Sequence, residues 1–206
     1  MQKRFDAAAA RRIGDAVRDV ESRSAAELVV EIRSRSGSYT HADARFAAVL
    51  TFVSLAALVF MPLVVPPIAV LFDAVAIYVL ALGIVRWVPS LRRVFTSTRE
   101  RLDAVRTHAA ALFHDRGIAN TSTETGLLLY VSLLEQRMEV LADRGVLRAV
   151  EASEWNAALE AVRELEPYDE YSIIAAIRAL GTVLERNLPA GAENVDELTS
   201  EPGVVH

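Results

Sequence analysis

The chain has 206 residues, no cysteine and a formal net charge of −5. The lack of cysteine excludes a disulfide scaffold, a Cys-ligated metal centre and a cysteine nucleophile. Hydrophobic residues make up 52% of the chain, which excludes an intrinsically disordered protein. The negative net charge gives no general attraction to nucleic acid, and we expect no nucleic-acid partner.

The first polar segment, residues 1–45, predicts one helix and one strand. Apolar residues recur at helical spacing from Phe5 to Val20. Glu27–Ser34 is rich in β-branched and apolar residues, which favours a strand. A short helix starting at Thr40 would then lead directly into the next segment.

The next segment, residues 46–88, is long and apolar. No ionisable side chain lies between Phe46 and Phe72. The prolines within 62–67 interrupt any helix there, so the stretch predicts two membrane spans, Phe46–Val64 and Ile68–Trp87, joined by a tight turn. A span needs about 20 apolar residues to cross the hydrocarbon layer. We therefore expect a transmembrane helical hairpin, and the lipid bilayer as a partner.

Arginines flank the two predicted spans, and the turn between them has none. They are Arg33, Arg35 and Arg45 before the first span, and Arg86, Arg92, Arg93, Arg99 and Arg101 after or at the end of the second. By the positive-inside rule, we expect both termini and the polar segments on the cytoplasmic side. Asp73 is the one carboxylate inside the apolar region. It is a candidate for a membrane function, such as proton or ion relay, and the alternatives are a wetted helix end or a contact between subunits.

The second polar segment, residues 89–191, predicts a helix, a β-hairpin and two further helices. The predicted elements are a helix over Ser97–His114, a buried strand over Leu127–Leu134, a second strand over Arg137–Ala142, and helices capped by Ser153 and Asp169. The remaining residues, 192–206, are acidic and aperiodic, and we expect a mobile tail.

One strand before the apolar hairpin and two after it predict a single α/β fold. Helices would surround a small mixed sheet in an α/β sandwich, and the transmembrane hairpin would interrupt this domain. The ends of an antiparallel helix pair are neighbours, so such an insertion need not disturb strand pairing.

Two sequence segments resemble the TPM domain family. They are Ser24–Val30 and Glu124–Val146, and the spacing to Trp155 also fits. The family is an α/β sandwich found in thylakoid-lumen proteins of photosystem II repair, in bacterial membrane proteins and in an auxiliary protein of nematode acetylcholine receptors. This chain is most similar to bacterial members in which two spans interrupt the domain, which implies an integral protein of a bacterial inner or plasma membrane. Some plant members are described as acid phosphatases, and members have been associated with divalent cations.

Four carboxylates lie where predicted strands meet loops: Glu27, Asp115, Glu124 and Asp143. Oxygen ligands from several loops would suit Ca²⁺ or Mg²⁺, which could orient a phosphate. The alternative is that they are solvated surface carboxylates.

Three functional hypotheses follow. The first is a non-enzymatic, membrane-anchored binding or assembly module for a membrane-protein partner, which the absence of a catalytic motif favours. The second is a weak metal-dependent acid phosphatase, which the family resemblance implies. The third is a small transport- or channel-associated subunit that uses Asp73.

Overall fold

A computed structural model of the chain describes residues 5–62, 65–88, 90–121, 123–166, 169–190 and 202–205. The chain divides into two compact units. The first combines two separate pieces of chain, residues 1–36 and 102–206, and the second is residues 37–101. Along the chain, the second unit therefore interrupts the first. Its limits are wider than the predicted 46–88, because helices extend beyond both ends of the apolar stretch.

Eight α-helices and four strands lie in the described part of the chain. In order they are α1 Ala7–Glu21, β1 Glu27–Arg33, α2 Thr40–Phe60, α3 Pro67–Trp87, α4 Ser90–Val94, α5 Thr98–Asp115, β2 Gly126–Ser132, β3 Arg137–Ala142, α6 Arg144–Ala149, α7 Ala152–Glu164, α8 Glu170–Asn187 and β4 Gly203–Val205. A 3-10 helix over Ile118–Asn120 precedes β2.

The strands form one mixed sheet in the order β3-β2-β1-β4. β1 runs parallel to β2 with Val30 opposite Leu129, and β3 is antiparallel to β2. This pairing confirms that strands on either side of the inserted unit share one sheet, and that the fold is α/β with a small mixed sheet.

Side chains alternate between two apolar layers, as the pleat of a strand requires. Leu28, Val30 and Ile32 face a core that α1, α7 and α8 cover. Val29 and its neighbours on β2 face a second core, covered by α5 and the 3-10 helix. All seven residues of β2 are buried, which explains its unbroken apolar sequence.

Helix α8 is fixed at its start by two carboxylates. Asp169 caps the helix and accepts a hydrogen bond of 2.9 Å from the Ser172 amide, as the sequence predicted. The buried Glu170 accepts from the Arg12 guanidinium at 2.6 and 2.7 Å, which ties α8 to α1. Further along, Gly181 allows α8 to approach Val20 of α1 closely.

In the second unit, α2 packs against α3 as a helical hairpin. The predicted helix at Thr40 and the first span form one continuous helix, which ends at Phe60. Residues 63–64 at the predicted end of that span lie outside the described residues. Pro67 occupies the first turn of α3, where its missing amide is not needed.

Three local predictions were wrong. The strand β2 ends at Ser132, because Leu133 and Leu134 enter the turn to β3. The cap of α7 is Glu151 and not Ser153. Within the tail predicted to be mobile, Gly203–Val205 forms β4, because β1 offers an edge with which an apolar segment can pair. Residues 192–201 and 206 of that tail lie outside the described residues.

Gly126 begins β2 under the carbonyl of Ile118, and this contact allows a test of the fold. A Cβ at Gly126 would lie 2.1 Å from Ile118 O, a backbone atom that cannot rotate away. We expect Gly126→Ala to lower the free energy of unfolding by about 1–3 kcal/mol, measured by urea titration in detergent with Trp155 fluorescence. The control is Gly83→Ala in α3, where a Cβ meets nothing within 4 Å. Equal stability of both variants would contradict this packing.

Candidate functional site at the carboxyl edge of the sheet

Three of the four predicted metal-ligand candidates lie near the edge where β1 and β2 begin. Glu27 starts β1 opposite Gly126, the first residue of β2. Asp143 directly follows β3, and its amide donates to Gly126 O at 2.9 Å. Glu124 lies two residues before Gly126. The fourth candidate, Asp115, is the last residue of α5 and is exposed.

The carboxylates at this edge have other partners. Glu124 forms an ion pair with Arg148. Asp143 caps α6 by accepting a 2.7 Å hydrogen bond from the Arg144 amide, and its Oδ2 is buried without a hydrogen-bond partner among the described residues. No three His, Asp or Glu side chains of the described chain lie close enough to hold a metal ion. The structure thus brings three candidates to one edge but does not assemble a ligand cluster.

Asp73 lies in the second turn of α3 with its side chain exposed. It forms no ion pair with another residue in the parts of the chain that the structure describes. A relay role for Asp73 therefore stays a prediction.

The opposite edge, where β1 and β2 end, holds a buried polar cluster of Ser36, Tyr130, Ser132 and Glu135. Tyr130 and Ser132 are fully buried, and Glu135 is 2% exposed. Tyr130 lies on the sheet face that α5 covers. In parallel sheets, the carboxyl ends of the strands are where ligands usually bind. We refer to these four residues as the edge cluster.

A chain of hydroxyl groups in the edge cluster ends at the Glu135 carboxylate. Ser132 Oγ donates to one Glu135 oxygen, and the Ser36 amide donates to the other at 2.9 Å. Ser36 Oγ donates to Ser132 Oγ at 2.8 Å. The Ser36 hydroxyl proton is thereby used, so the 2.8 Å contact between Ser36 Oγ and Tyr130 Oη is one in which the tyrosine donates.

The surroundings of Tyr130 keep its phenol protonated. Burial raises the pKa of Tyr130 above its ordinary value near 10. The negative charge of Glu135 adds to this increase. The protonated phenol is the form that donates to Ser36, so the hydrogen-bond geometry agrees with the direction of the pKa change.

A row of charged residues crosses the same face of the sheet at the level of Tyr130. Glu31 of β1 and Glu139 of β3 lie opposite Tyr130 on either side. Glu31 is 1% exposed, and its carboxylate lies 2.9 Å from Arg33 Nε and 3.1 Å from Arg116 Nη2. Arg106 of α5 approaches Glu139 at 3.6 Å. The buried negative charge of Glu31 is therefore compensated by two guanidinium groups.

The edge cluster can fix the end of β1 against β2, but its hydroxyl groups are not arranged for nucleophilic catalysis. Both serine hydroxyls direct their protons along a chain that ends at a carboxylate, and the group at the far end is a protonated phenol. An activated serine needs a base that also faces a substrate, whereas Ser132 is fully buried. The cluster instead joins the end of β1 to β2 and to the turn before β3.

No sequence pattern predicted the edge cluster. Glu135 lies in the short connection between the two strands of the predicted β-hairpin. The available signal was local, because Ser132 is a polar residue within an apolar run and Glu135 follows it by three positions. Ser36, which completes the cluster, is distant in sequence and no local pattern links it to Glu135.

Among solved structures, the chain is similar to the NMR structure of the BA42 protein from the psychrophilic bacterium Bizionia argentinensis sp. nov.. The TM-score is 0.58 at 16% sequence identity, over 97% of this chain and 94% of that chain. At this identity the similarity concerns the fold alone. No family model and no curated protein sequence matches the chain.

The pKa of Tyr130 predicts how stability changes at alkaline pH. The folded state holds the phenolic proton of Tyr130 more tightly than the unfolded state does. Tyr130 therefore makes a constant contribution to stability below about pH 10. This contribution is lost as the pH rises from there through the pKa of the folded state. The chain has a single lysine, Lys3, so tyrosines dominate titration in this range. We expect Tyr130→Phe to unfold more easily at neutral pH and to lose part of the alkaline decrease in stability.

The measurement is urea unfolding of the full chain in detergent between neutral pH and about pH 11, the range in which tyrosines ionise. Tyr171→Phe is the matched control, because Tyr171 is 71% exposed, and it should keep the wild-type profile. An identical alkaline slope in the wild type and in Tyr130→Phe would contradict the proposed environment of Tyr130.

Proposed function

We propose that this protein is a membrane-anchored, TPM-like binding or assembly module without catalytic activity, which the second unit holds in the bilayer. Its predicted partner is a membrane protein. The observation that carries the proposal is the exposed apolar surface of α2 and α3. The sequence resembles the TPM family, whose members are α/β sandwiches, and the observed α/β fold is consistent with this resemblance.

The surfaces of α2 and α3 are unusual for helices in water. Each helix has 21 residues, and only 6% and 11% of their most apolar stretches are buried. Among the exposed residues are Phe52 (73%), Phe60 (88%), Phe72 (68%) and Trp87 (89%). A helix that is apolar on all sides is normally buried in protein or in lipid. At 1.5 Å per residue, each helix is about 30 Å long, which matches the hydrocarbon thickness.

Polar contacts in the second unit occur near the ends of the hairpin that lead to the rest of the chain. Arg92 binds Asp43 through two hydrogen bonds of 2.8 Å, and both side chains are 15% exposed. Three residues further along each segment, the rings of Phe46 and Phe95 pack edge to face, with their centroids 5.3 Å apart. These contacts join the start of α2 to the segment after α3 and support a membrane boundary close to residues 43–46 and 88–92.

The arginine distribution supports a cytoplasmic location for both ends of the hairpin. Arg45, Arg86, Arg93 and Arg101 lie outside or at the end of the apolar stretches, and the connection between the helices has no basic residue. The termini and the first unit would then lie on the cytoplasmic side.

A metal-dependent phosphatase is the second candidate, and one observation favours it. The Oδ2 atom of Asp143 is buried and has no hydrogen-bond partner among the described residues. Against it, Glu124 is paired with Arg148, and Asp143 Oδ1 is used as a helix cap. A phosphate-transfer centre needs several oxygen ligands around the ion.

Calorimetry can separate the two candidates. We expect Mg²⁺ or Ca²⁺ titration of the full chain in detergent to give no saturable heat, because the carboxylates at this edge are engaged in other contacts. Asp143→Asn is the matched control, and it should behave as the wild type does. A saturable heat that disappears in Asp143→Asn would favour the metal-dependent enzyme.

The membrane topology can be measured on single-cysteine variants, because the natural chain has no cysteine. Met61→Cys lies between α2 and α3, Ala157→Cys on the exposed side of α7, and Leu80→Cys within α3. With an impermeant maleimide, we expect labelling of Met61→Cys in intact spheroplasts and of Ala157→Cys only in inverted vesicles.

Leu80→Cys distinguishes lipid from water around the hairpin. Leu80 is 66% exposed, so this variant would be labelled freely if α3 faced water. In a bilayer it should stay unlabelled until the protein is denatured. Rapid labelling of Leu80→Cys in native vesicles would refute membrane insertion, and labelling of Met61→Cys from the same side as Ala157→Cys would refute a spanning hairpin.

A further inference from the structure

The charged residues of the second unit are mostly basic and lie at or beyond one end of its helical hairpin. Residues 37–101 contain six arginines and three carboxylates, although the whole chain has a net charge of −5. One of these carboxylates, Asp73, lies in the second turn of α3, at the other end of the hairpin. The end where α2 begins and α3 ends therefore combines six arginines with only two carboxylates.

These two carboxylates already have basic partners. Asp43 accepts from Arg92 through both of its oxygens, at 2.8 Å each. Glu100 lies 3.7 Å from His41 Nε2 and 3.8 Å from Arg45 Nη2. Neither carboxylate is left to compensate the positive charge of a further arginine.

Three other arginines of this unit, Arg86, Arg93 and Arg101, form no ion pair with any residue that the structure describes. Arg93 and Arg101 are half-buried, and the Nε atom of each is buried without a hydrogen-bond partner among the described residues. A guanidinium that is partly removed from water loses hydration, and an anion normally compensates for this loss. Because the Nε atoms are buried, such an anion would bind the terminal Nη groups.

The segment around Arg93 has the character of a membrane interface. Trp87 is 89% exposed and Val94 is 76% exposed, and tryptophan is typical of the level of the lipid headgroups. Interfacial segments insert apolar side chains at the boundary of the acyl chains and direct basic side chains to the headgroups. The bond between Arg92 and Asp43 holds α4 at the start of α2, at the membrane boundary inferred above. At this level, phosphate groups are the most abundant anions.

We propose that Arg86, Arg93 and Arg101 form a binding surface for the phosphate groups of anionic phospholipids. Guanidinium groups form paired, charge-assisted hydrogen bonds with phosphate oxygens. A juxtamembrane basic segment is also attracted by the negative charge of a leaflet that contains anionic lipids. In a zwitterionic lipid, the headgroup cation opposes the arginines, so the surface favours lipids with a net negative charge. The inference rests on the proposed membrane anchoring and names the class of lipid.

Trp87 can report which lipid lies beside this surface. The chain has two tryptophans, so Trp155→Phe leaves Trp87 as the only one. We reconstitute the full chain with this change into bilayers that contain brominated phosphatidylglycerol or brominated phosphatidylcholine, which quench tryptophan fluorescence. We expect the anionic lipid to be favoured at least about fivefold, the effect of one basic residue near an anionic surface. Inorganic phosphate at constant ionic strength should not reduce this preference, and its loss would overturn a lipid as the ligand.

Arginine variants in the same background test the named residues. We expect Arg93→Gln and Arg101→Gln each to lower the preference about fivefold, whereas Arg93→Lys, which keeps the charge, should retain part of it. Arg148→Gln is the matched control, because it removes an arginine of the first unit that is paired with Glu124. Circular dichroism checks that each variant is folded.

The possible failures are distinguishable. Equal quenching of Trp87 by both lipids, or an unchanged preference in both glutamine variants, would overturn the lipid-binding surface and leave membrane insertion intact. No quenching by either lipid would overturn membrane insertion as well.

Discussion

The parallel pairing of β1 with β2 is the constraint on which the rest of this protein depends. These strands come from pieces of chain that residues 37–101 separate. Neither piece can complete a core alone, because each apolar layer uses side chains from both strands. Residues 37–101 must therefore leave the sheet and return to it without disturbing the register from Glu27 to Arg33. Close contacts such as that of Gly126 with Ile118 then fix where β2 begins.

The two ends of this strand pair differ in their chemistry. At the amino end, carboxylates act as caps and surface ion pairs, as Asp143 and Glu124 do. At the carboxyl end, Glu135 is buried and accepts hydrogen bonds from Ser132 and from the Ser36 amide. A buried carboxylate is tolerated only when such donors compensate for its lost hydration. This compensation gives the edge cluster a structural role, since it closes the sheet at the point where the chain leaves β1.

The proposed function rests on the surface of the second unit. The apolar faces of α2 and α3 are suited to lipid, and a lipid-facing helical hairpin requires no catalytic group, which agrees with a binding or assembly module. In the sheet, the outer edge of β1 pairs with β4, where Gly203 lies opposite the buried Glu31.

The sequence by itself determined the features that depend on local periodicity and composition. The two apolar helices, the strand β3 and the Asp169 cap follow from residues that are near neighbours in the chain, although the first of these helices ends at Phe60 and not at the predicted Val64. The short helices α4 and α6 were missed, because each spans at most two turns and shows no clear period. The tertiary structure alone decided which side chains meet. It brought three of the four predicted cation ligands to one edge without forming a ligand cluster among the described residues, joined Ser36 to Glu135, and paired Gly203–Val205 with β1. These contacts depend on strand register and on residues far apart in sequence, and no local pattern encodes that information.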